Sequence, residues 1–409
     1  MITGAADDDP SGIATYSQAG AQFGFSITWT LLFTYPLMVI IQEISARIGR
    51  TTGKGIGANL RAHFSPWLLN TIVLSVVAAN TVNIAADLGA MGDAANLVIG
   101  GPKWPYVVAF GVLCAALQVF IDYSRYATVL KWLTVALFAY FGTFFVVKIP
   151  WTEAAKGFFI PTFSSDAAFW TTVVAILGTT ISPYLFFWQA SQEVEEVKDN
   201  AARKPLVDAP KQGPAAIRRI EADTYVGMAF SNLVSLAIMI TTAATLHAAG
   251  AKDVTSSAQA AEALKPVAGE FGFLVFSLGL IGTGLLAVPV LSGSSAYALG
   301  EARNWPVGLA RKPKAAKAFY ATIVISTICG ISIVLSPLDP IKALYWSAVI
   351  NGFVSAPVMA MMMLIVSSKK IMKKFAVRGL LWYGGWVATA AMGAATLGLI
   401  VSAVLNTGQ

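Results

Sequence analysis

Residues 4–12 read Gly4-Ala5-Ala6-Asp7-Asp8-Asp9-Pro10-Ser11-Gly12, which sets three carboxylates and a proline between glycines in an otherwise apolar segment. A second stretch of this kind, Gly178-Thr179-Thr180-Ile181-Ser182-Pro183-Tyr184, lies in another apolar segment. Proline removes a helical hydrogen-bond donor and clashes with the carbonyl four residues back, and glycine tolerates the dihedral angles that follow. We therefore expect two helices that are each interrupted at these stretches.

Apolar segments of helical length recur along the whole chain. The 409 residues are 56% hydrophobic and only 12% charged, and the mean hydropathy is +0.67. Runs of about 20 apolar residues are typical of bilayer-spanning helices, and the short alternating segments of a membrane β-barrel are absent. We predict an all-α integral membrane protein with eleven transmembrane helices. The predicted spans are 1–23, 26–48, 66–98, 105–121, 127–148, 168–196, 223–248, 270–299, 318–336, 342–367 and 379–404.

The basic residues fall mainly on one side of these spans. If the N-terminus is cytoplasmic, 22 of the 28 Lys and Arg residues lie in cytoplasmic connections and six lie outside. This asymmetry follows the positive-inside rule, and it predicts a cytoplasmic N-terminus and an extracytoplasmic C-terminus. The formal charge of +7 is therefore a topology signal, and we expect no nucleic-acid partner.

The two interrupted helices are the first and the sixth predicted spans. Paired interruptions in corresponding halves are typical of transporters built from inverted repeats, although a proline kink without function explains either one taken alone. The predicted units are residues 1–150 (helices 1–5), residues 151–367 (helices 6–10) and residues 368–409 (helix 11). We expect residues 197–222 of the second unit to form a cytoplasmic linker with one short surface helix.

The acidic triplet indicates a cation site. Carboxylates inside a membrane are costly and need a partner, and no Lys or Arg is evident in the membrane interior, away from the ends of the spans. A bound cation would supply the missing charge. The alternative for Asp7 and Asp8 is a wet inner vestibule, whereas Asp9 directly precedes Pro10 at the interruption.

At these residues the sequence resembles the NRAMP family of divalent metal transporters. The family's first-helix motif Asp-Pro-Gly-Asn corresponds to Asp9-Pro10-Ser11-Gly12, and its sixth-helix motif Met-Pro-His corresponds to Ser182-Pro183-Tyr184. The stretches Gln18-Ala19-Gly20-Ala21 and Thr52-Gly53-Lys54 also match the family's pattern. The resemblance implies the leucine-transporter (LeuT) architecture, a 5+5 inverted repeat plus one helix, with helices 1 and 6 discontinuous.

Several residues depart from the family's pattern. The ligating Asn corresponds to Gly12 and the ligating Met to Ser182. The sixth-helix histidines that are linked to proton movement correspond to Tyr184 and Gln189. The third-helix Asp is retained as Asp87. This set of changes is similar to the NRAMP-related magnesium transporters, a prokaryotic branch, and implies a multi-pass protein of a prokaryotic inner (plasma) membrane.

The substituted site is expected to prefer hard cations. Thioether ligands favour softer metals, whereas carboxylate, carbonyl and water suit Mg²⁺ and Mn²⁺, and Mg²⁺ usually keeps several waters. The predicted metal-site residues are Asp9, Ser11, Gly12, Thr179, Thr180 and Ser182. The secondary candidates along the transport pathway are Asp8, Asp87, Tyr184, Gln189 and Asn351.

Three of these assignments leave alternatives open. Asp87 is either a residual proton site or a buried, hydrogen-bonded structural acid. Asn351 either lines the pathway or bonds between helices, and Thr180 either faces the ion or bonds back to a helix carbonyl. The acids Glu43, Glu193, Glu195 and Glu196 are expected to be solvated or to cap helices.

These observations predict a secondary transporter of divalent cations that works by alternating access. We expect Mg²⁺ to be preferred, Mn²⁺ to be carried as well, and no proton to be coupled. The alternatives are a proton-coupled Mn²⁺ or Fe²⁺ transporter and an amino-acid transporter of the same fold. No pairing of nucleophile and base indicates an enzyme. No cofactor is expected apart from the transported ion, and the expected partners are the metal ion and the lipid bilayer, with no obligate protein partner.

Overall fold

The computed structural model describes residues 9–121, 138–254, 256–335 and 340–406. Within these ranges every regular element is a helix. The first half is built from α1 (Pro10–Phe23), α2 (Trp29–Thr52), α3 (Ile56–His63), α4 (Pro66–Ile99), α5 (Trp104–Phe120), α6 (Ala139–Val146) and α7 (Trp151–Phe159). The second half is built from α8 (Ala167–Thr180), α9 (Pro183–Asp199), α10 (Gly213–Thr242), α11 (Ser257–Glu262), α12 (Lys265–Ala268), α13 (Gly272–Ala302), α14 (Lys317–Val334), α15 (Pro340–Ser367), α16 (Lys369–Met372) and α17 (Leu380–Asn406).

Eight helical segments in the described ranges are long and apolar enough to cross a membrane. They are Trp29–Thr52, Pro66–Ile99, Ala167–Asp199, Pro210–His247, Gly272–Ala302, Lys317–Val334, Ile341–Ser367 and Leu380–Val401. A shorter apolar helix, Trp104–Phe120, accompanies them. The total of eleven spans stays a prediction, because residues 1–8 of the first predicted span and residues 127–137 of the fifth lie outside the described residues.

Most predicted spans agree with the observed helices to within a few residues, but the seventh begins earlier than expected. The predicted span 223–248 corresponds to α10, which starts at Gly213 with Pro214 in its first turn. Proline suits the first turn because its missing N–H would have no helical partner there. The predicted linker 197–222 is therefore shorter: α9 continues to Asp199, and a 3₁₀ turn at Pro210–Gln212 precedes α10. The separate surface helix predicted there is wrong, since those residues form the first turns of α10.

The chain leaves helical geometry between α8 and α9. Thr180 is the last residue of α8 and Pro183 the first of α9, and Ser182 is extended with φ −84° and ψ 135°. A residue that precedes proline is disfavoured in the α region, which accounts for this conformation. Close by, a Cβ added to Gly178 would lie 2.0 Å from the carbonyl oxygen of Ala348. Only glycine at position 178 therefore allows α8 to approach α15 so closely beside Ala348.

The helix α1 lies inside the bundle. It packs against α8, α10 and α15, and eleven of its residues are buried. The 34-residue helix α4 packs against α5, α13, α14 and α15. Large apolar side chains such as Phe120, Phe145 and Leu380 remain on the outer surface, as expected of helices that face lipid.

Candidate functional site: an oxygen-lined centre at Asp9

Asp9 caps the N-terminus of α1. Its Oδ1 accepts the backbone N–H of Gly12 at 2.8 Å and the hydroxyl of Ser11 at 2.7 Å. Pro10 follows at the first helical position. A carboxylate here is stabilised by the unpaired N–H groups and the positive end of the helix dipole. The side chain is 1% exposed, so its position is fixed by the helix that it caps.

Two residues from the second half of the chain meet this carboxylate. Thr179, in the last turn of α8, places its Oγ1 3.2 Å from the Ser11 hydroxyl and 3.5 Å from Asp9 Oδ1. The Tyr184 hydroxyl, from the first turn of α9, donates to Asp9 Oδ2 at 3.4 Å. The predicted residues Asp9, Ser11 and Thr179 thus form one oxygen cluster, and Tyr184, predicted as a secondary residue, belongs to it.

Thr180 and Ser182 bond mainly to the helix end. The Thr180 hydroxyl donates to the Ile176 carbonyl and lies 3.3 Å from the Tyr16 hydroxyl, which agrees with the alternative of a back-bond. The Ser182 hydroxyl lies 2.8 Å from the carbonyls of both Gly178 and Thr179. A hydroxyl that donates to a carbonyl still presents lone pairs, so these oxygens keep their capacity to accept.

Serines of other helices donate to one carbonyl within the interruption and to one in the first turn of α9. Ser355 on α15 donates to the Ile181 carbonyl at 2.6 Å, and Ser294 on α13 donates to the Tyr184 carbonyl at 2.8 Å. Both serines are fully buried. Neither serine was among the predicted site residues. The sequence shows each of them only as a small polar residue within an apolar span.

Gly12 faces the centre. A Cβ added to it would lie 3.3 Å from the Tyr16 ring, 3.4 Å from Thr179 Oγ1 and 3.5 Å from Asp9 Oδ1. Gly12 therefore places no side chain beside the carboxylate, and a methyl group there would already be in contact with all three residues. Among the described residues no group of three or more His, Cys, Asp or Glu side chains is arranged to hold a metal ion, so the centre is rich in hydroxyls and has one acid.

The family follows from comparison with known proteins. Residues 1–402 match the family described as natural resistance-associated macrophage protein-like, or Nramp. This chain is an Nramp protein. The match covers nearly the whole chain and includes both stretches from which the fold was predicted.

Relatives of this Nramp protein cover almost its full length. It is 26% identical over 410 aligned positions to the divalent metal cation transporter MntH of Klebsiella pneumoniae subsp. pneumoniae, with 97% of this chain and 92% of the relative covered. In fold it is similar to the manganese transporter of Eremococcus coleocola, with a TM-score of 0.72, 17% identity, and 98% and 84% of the two chains covered. MhsT in complex with L-phenylalanine has a TM-score of 0.60 at 12% identity, with 98% and 96% covered. These likenesses confirm the predicted LeuT-like, all-α architecture, whereas the repeat boundaries stay predictions.

The remaining secondary candidates of this Nramp protein are buried and differ in their bonding. Asp87 and Asn351 are completely buried, and neither side chain has a hydrogen-bond partner among the described residues. The hydrogen bond expected if Asp87 is a structural acid is therefore not seen among the described residues. The same holds for the interhelical bond considered for Asn351. Gln189 is 7% exposed on α9. Asp8 lies outside the described residues.

The acids Glu43, Glu193, Glu195 and Glu196 were expected to be solvated or capping, and for two of them this is wrong. Glu43 and Glu193 are buried and form ion pairs with Arg47 and Arg219, the second at 2.6 Å. Arg47 follows Glu43 by one helical turn on α2, so local sequence supplies that partner, whereas Arg219 lies on α10 and reaches Glu193 through helix packing. Elsewhere on α9, Glu195 Oε1 accepts from the Tyr297 hydroxyl at 2.7 Å.

Proposed function

We propose that this Nramp protein is a secondary transporter that carries divalent metal cations across a membrane by alternating access around Asp9. The observation that carries the proposal is the buried Asp9 carboxylate, which is held by hydroxyls and one backbone N–H and has no cationic partner among the described residues. A buried carboxylate without a counter-charge favours binding of a cation. The name of the Klebsiella relative, a divalent metal cation transporter, supports the same class of cargo.

We further propose that Mg²⁺ is preferred and that Mn²⁺ is carried as well. The centre offers one carboxylate and several hydroxyls and carbonyls, which are oxygen donors that suit hard cations. Mg²⁺ releases its waters reluctantly and usually keeps several when it binds to protein. The absence of a side chain at Gly12 and the short side chain of Ser182 are suited to a partly hydrated ion, with Ser11, Thr179 and Thr180 as the hydroxyls that hold its water shell.

The proposed transport needs no coupled proton. In a membrane with a negative interior, inward movement gains about 2.3 kcal/mol per charge per 100 mV, or about 4.6 kcal/mol for a dication. The proposed setting is a prokaryotic inner membrane with a cytoplasmic N-terminus, which puts 22 of the 28 basic residues on the cytoplasmic side. The proposed repeat units remain residues 1–150 and 151–367, followed by 368–409.

Binding and uptake test the role of Asp9. Isothermal titration of the purified protein and uptake into proteoliposomes are measured for Mg²⁺ and Mn²⁺ with the wild type and Asp9→Asn. We expect the variant to lose both activities, because the amide keeps the shape of the side chain and removes its charge. The matched control is Asp208→Asn, which removes an exposed acid of the linker and should bind and transport normally. Wild-type uptake by Asp9→Asn would contradict the proposal.

Proton coupling is tested by a pH-sensitive dye in the proteoliposome lumen during Mg²⁺ uptake. The proposal expects no proton movement that scales with the metal. A proton-coupled Mn²⁺ carrier is the second candidate, because Asp87 is fully buried and has no described partner. Stoichiometric acidification of the lumen that disappears in Asp87→Asn would favour this candidate.

An amino-acid carrier of the same fold is disfavoured. In such carriers the N-terminus of a half-helix receives the substrate carboxylate. Here Asp9 already occupies the N-terminus of α1 with its own carboxylate, and a second anion at that point would be repelled.

A further inference from the structure

A cavity lies at the other end of α1 from Asp9. It has a volume of about 730 Å³ and is bounded by the end of α1, the segment 24–26, α7 and the end of α10. Since α1 contains 14 residues and a helix rises 1.5 Å per residue, the cavity lies about 20 Å from the metal centre. It is therefore separate from the site described above.

Two of the three charged residues in the wall of this cavity are basic. Lys148 and Lys156 line it together with one acid, Glu153, and with His247. Neither lysine forms an ion pair with a described residue. In the proposed orientation only six basic residues lie on the outer side, and two of those six line this one cavity. Such a concentration of positive charge favours an anionic ligand.

The walls are held in place by backbone contacts. A Cβ added to Gly157 on α7 would lie 2.1 Å from the Phe25 carbonyl oxygen, and the Thr162 hydroxyl donates to the Ser26 carbonyl at 2.7 Å. These contacts fix α7, which carries Lys156, against the segment that follows α1. The walls of the cavity therefore come from three parts of the fold that are held together by these contacts.

His247 is oriented by a hydrogen bond of its own. It ends a π-helical turn, Ala243–His247, at the end of α10, and its Nδ1 lies 2.8 Å from the Ala21 carbonyl oxygen. A carbonyl only accepts, so Nδ1 carries a proton. The opposite nitrogen, Nε2, lies 3.0 Å from the position of a Cβ added to Gly24, and Gly24 also lines the cavity. Single π-helical turns occur frequently at functional sites.

We propose that this cavity binds a phosphate group, with the ammonium groups of Lys148 and Lys156 as its main contacts and the His247 ring as a third wall. Lysine is a common phosphate ligand that acts as a point charge. The phosphate has two possible sources, the headgroup of an anionic phospholipid in the outer leaflet or the dissolved ion. Apolar lining by Phe23, Phe25 and Ile160 beside the lysines suits the amphipathic lipid.

Lipid retention and thermal unfolding of the full chain in detergent test this proposal. Native mass spectrometry counts retained phosphatidylglycerol, with phosphatidylcholine as the zwitterionic comparison. Thermal unfolding is followed in potassium phosphate and in potassium chloride at equal ionic strength. We expect Lys148→Gln with Lys156→Gln to weaken phosphate binding about tenfold or more, as expected for the loss of charge-assisted hydrogen bonds.

The matched control is Lys252→Gln with Lys265→Gln, which removes the same charge from two exposed lysines that do not line the cavity. This control should behave as the wild type. Glu153→Gln should increase retention, because it removes the only acid in the wall, and it tests the proposal even if the double lysine variant fails to fold.

The two sources give different results. Selective retention of phosphatidylglycerol with no effect of inorganic phosphate assigns the site to the lipid headgroup, whereas phosphate-specific stabilisation assigns it to the dissolved ion. Equal binding by the lysine variants, their control and Glu153→Gln would overturn the proposal. So would a lack of any phosphate or phosphatidylglycerol effect on the wild type.

Discussion

The hydroxyl oxygens of Ser11 and Thr179 lie 3.2 Å apart, although 168 positions separate the two residues in the chain. Ser11 belongs to the first turn of α1 and Thr179 to the last turn of α8. The positive end of one helix therefore faces the negative end of the other across Asp9. This arrangement collects hydroxyl and carboxylate oxygens at one buried point.

Thr179→Val should weaken binding of Mg²⁺. Valine keeps the shape of threonine and removes the hydroxyl that lies near both the Ser11 hydroxyl and the Asp9 carboxylate. A hydrogen bond to a charged group contributes about 1.5–3 kcal/mol, so we expect affinity to fall at least tenfold in isothermal titration. The control is Thr171→Val on the same helix, whose hydroxyl only bonds back to the Ala167 carbonyl at 2.8 Å. Equal affinities for the two variants would contradict the assignment of Thr179 to the site.

Gly12→Asn should reduce the preference for Mg²⁺ over Mn²⁺. The new side chain starts 3.5 Å from Asp9 Oδ1 and 3.4 Å from Thr179 Oγ1, so it occupies the space proposed for water of the hydrated ion. Competition of the two metals for uptake into proteoliposomes measures the change. Gly12→Ala fills less of this space and should have a smaller effect. An unchanged preference in Gly12→Asn would argue against a partly hydrated substrate.

Ser355→Ala should destabilise the interruption between α8 and α9. It leaves the buried Ile181 carbonyl without the hydroxyl that donates to it at 2.6 Å. An unsatisfied buried carbonyl costs about 1–3 kcal/mol, which thermal unfolding in detergent should register as a lower Tm. The matched control is Ser347→Ala on the same helix, because the Ser347 hydroxyl bonds only within its helix, to the Leu344 carbonyl at 2.7 Å. A Tm for Ser355→Ala no lower than that of this control would exclude a supporting role for Ser355.

Arg219→Gln should destabilise the protein more than Glu196→Gln. The first change leaves the Glu193 carboxylate, whose side chain is 5% exposed, without its cation. The second removes a carboxylate that is 45% exposed and also pairs with Arg219. Losing one partner of a buried pair is costly because the other charge stays in a poorly solvated site, whereas exposed pairs contribute little. Thermal unfolding compares the variants, and Glu193→Gln combined with Arg219→Gln should recover part of the loss. A double variant less stable than Arg219→Gln would refute this explanation.

Local sequence was sufficient to locate the oxygen-lined centre at Asp9. Asp9 before Pro10 and Ser182 before Pro183 predicted two interrupted helices, since proline removes a helical donor and restricts the residue before it. The interruption of the first helix stays a prediction, because residues 1–8 lie outside the described residues. The observed helices begin at those prolines. Ser294 and Ser355, which bond to the backbone beside this centre, could not be predicted. Their sequence positions resemble those of the many other small polar residues in apolar spans.

The sequence by itself determined the helical class, most helix boundaries and the identity of the buried carboxylate, because hydrophobic run length and proline act over a few neighbouring residues. Only the tertiary structure decided which of the candidate hydroxyls reach Asp9, which arginine neutralises Glu193, and that Lys148 and Lys156 meet His247 at the cavity beside the end of α1. These relationships join residues far apart in the chain. They depend on how closely helices approach one another, as at Gly178. Local sequence patterns do not specify the distance between helices.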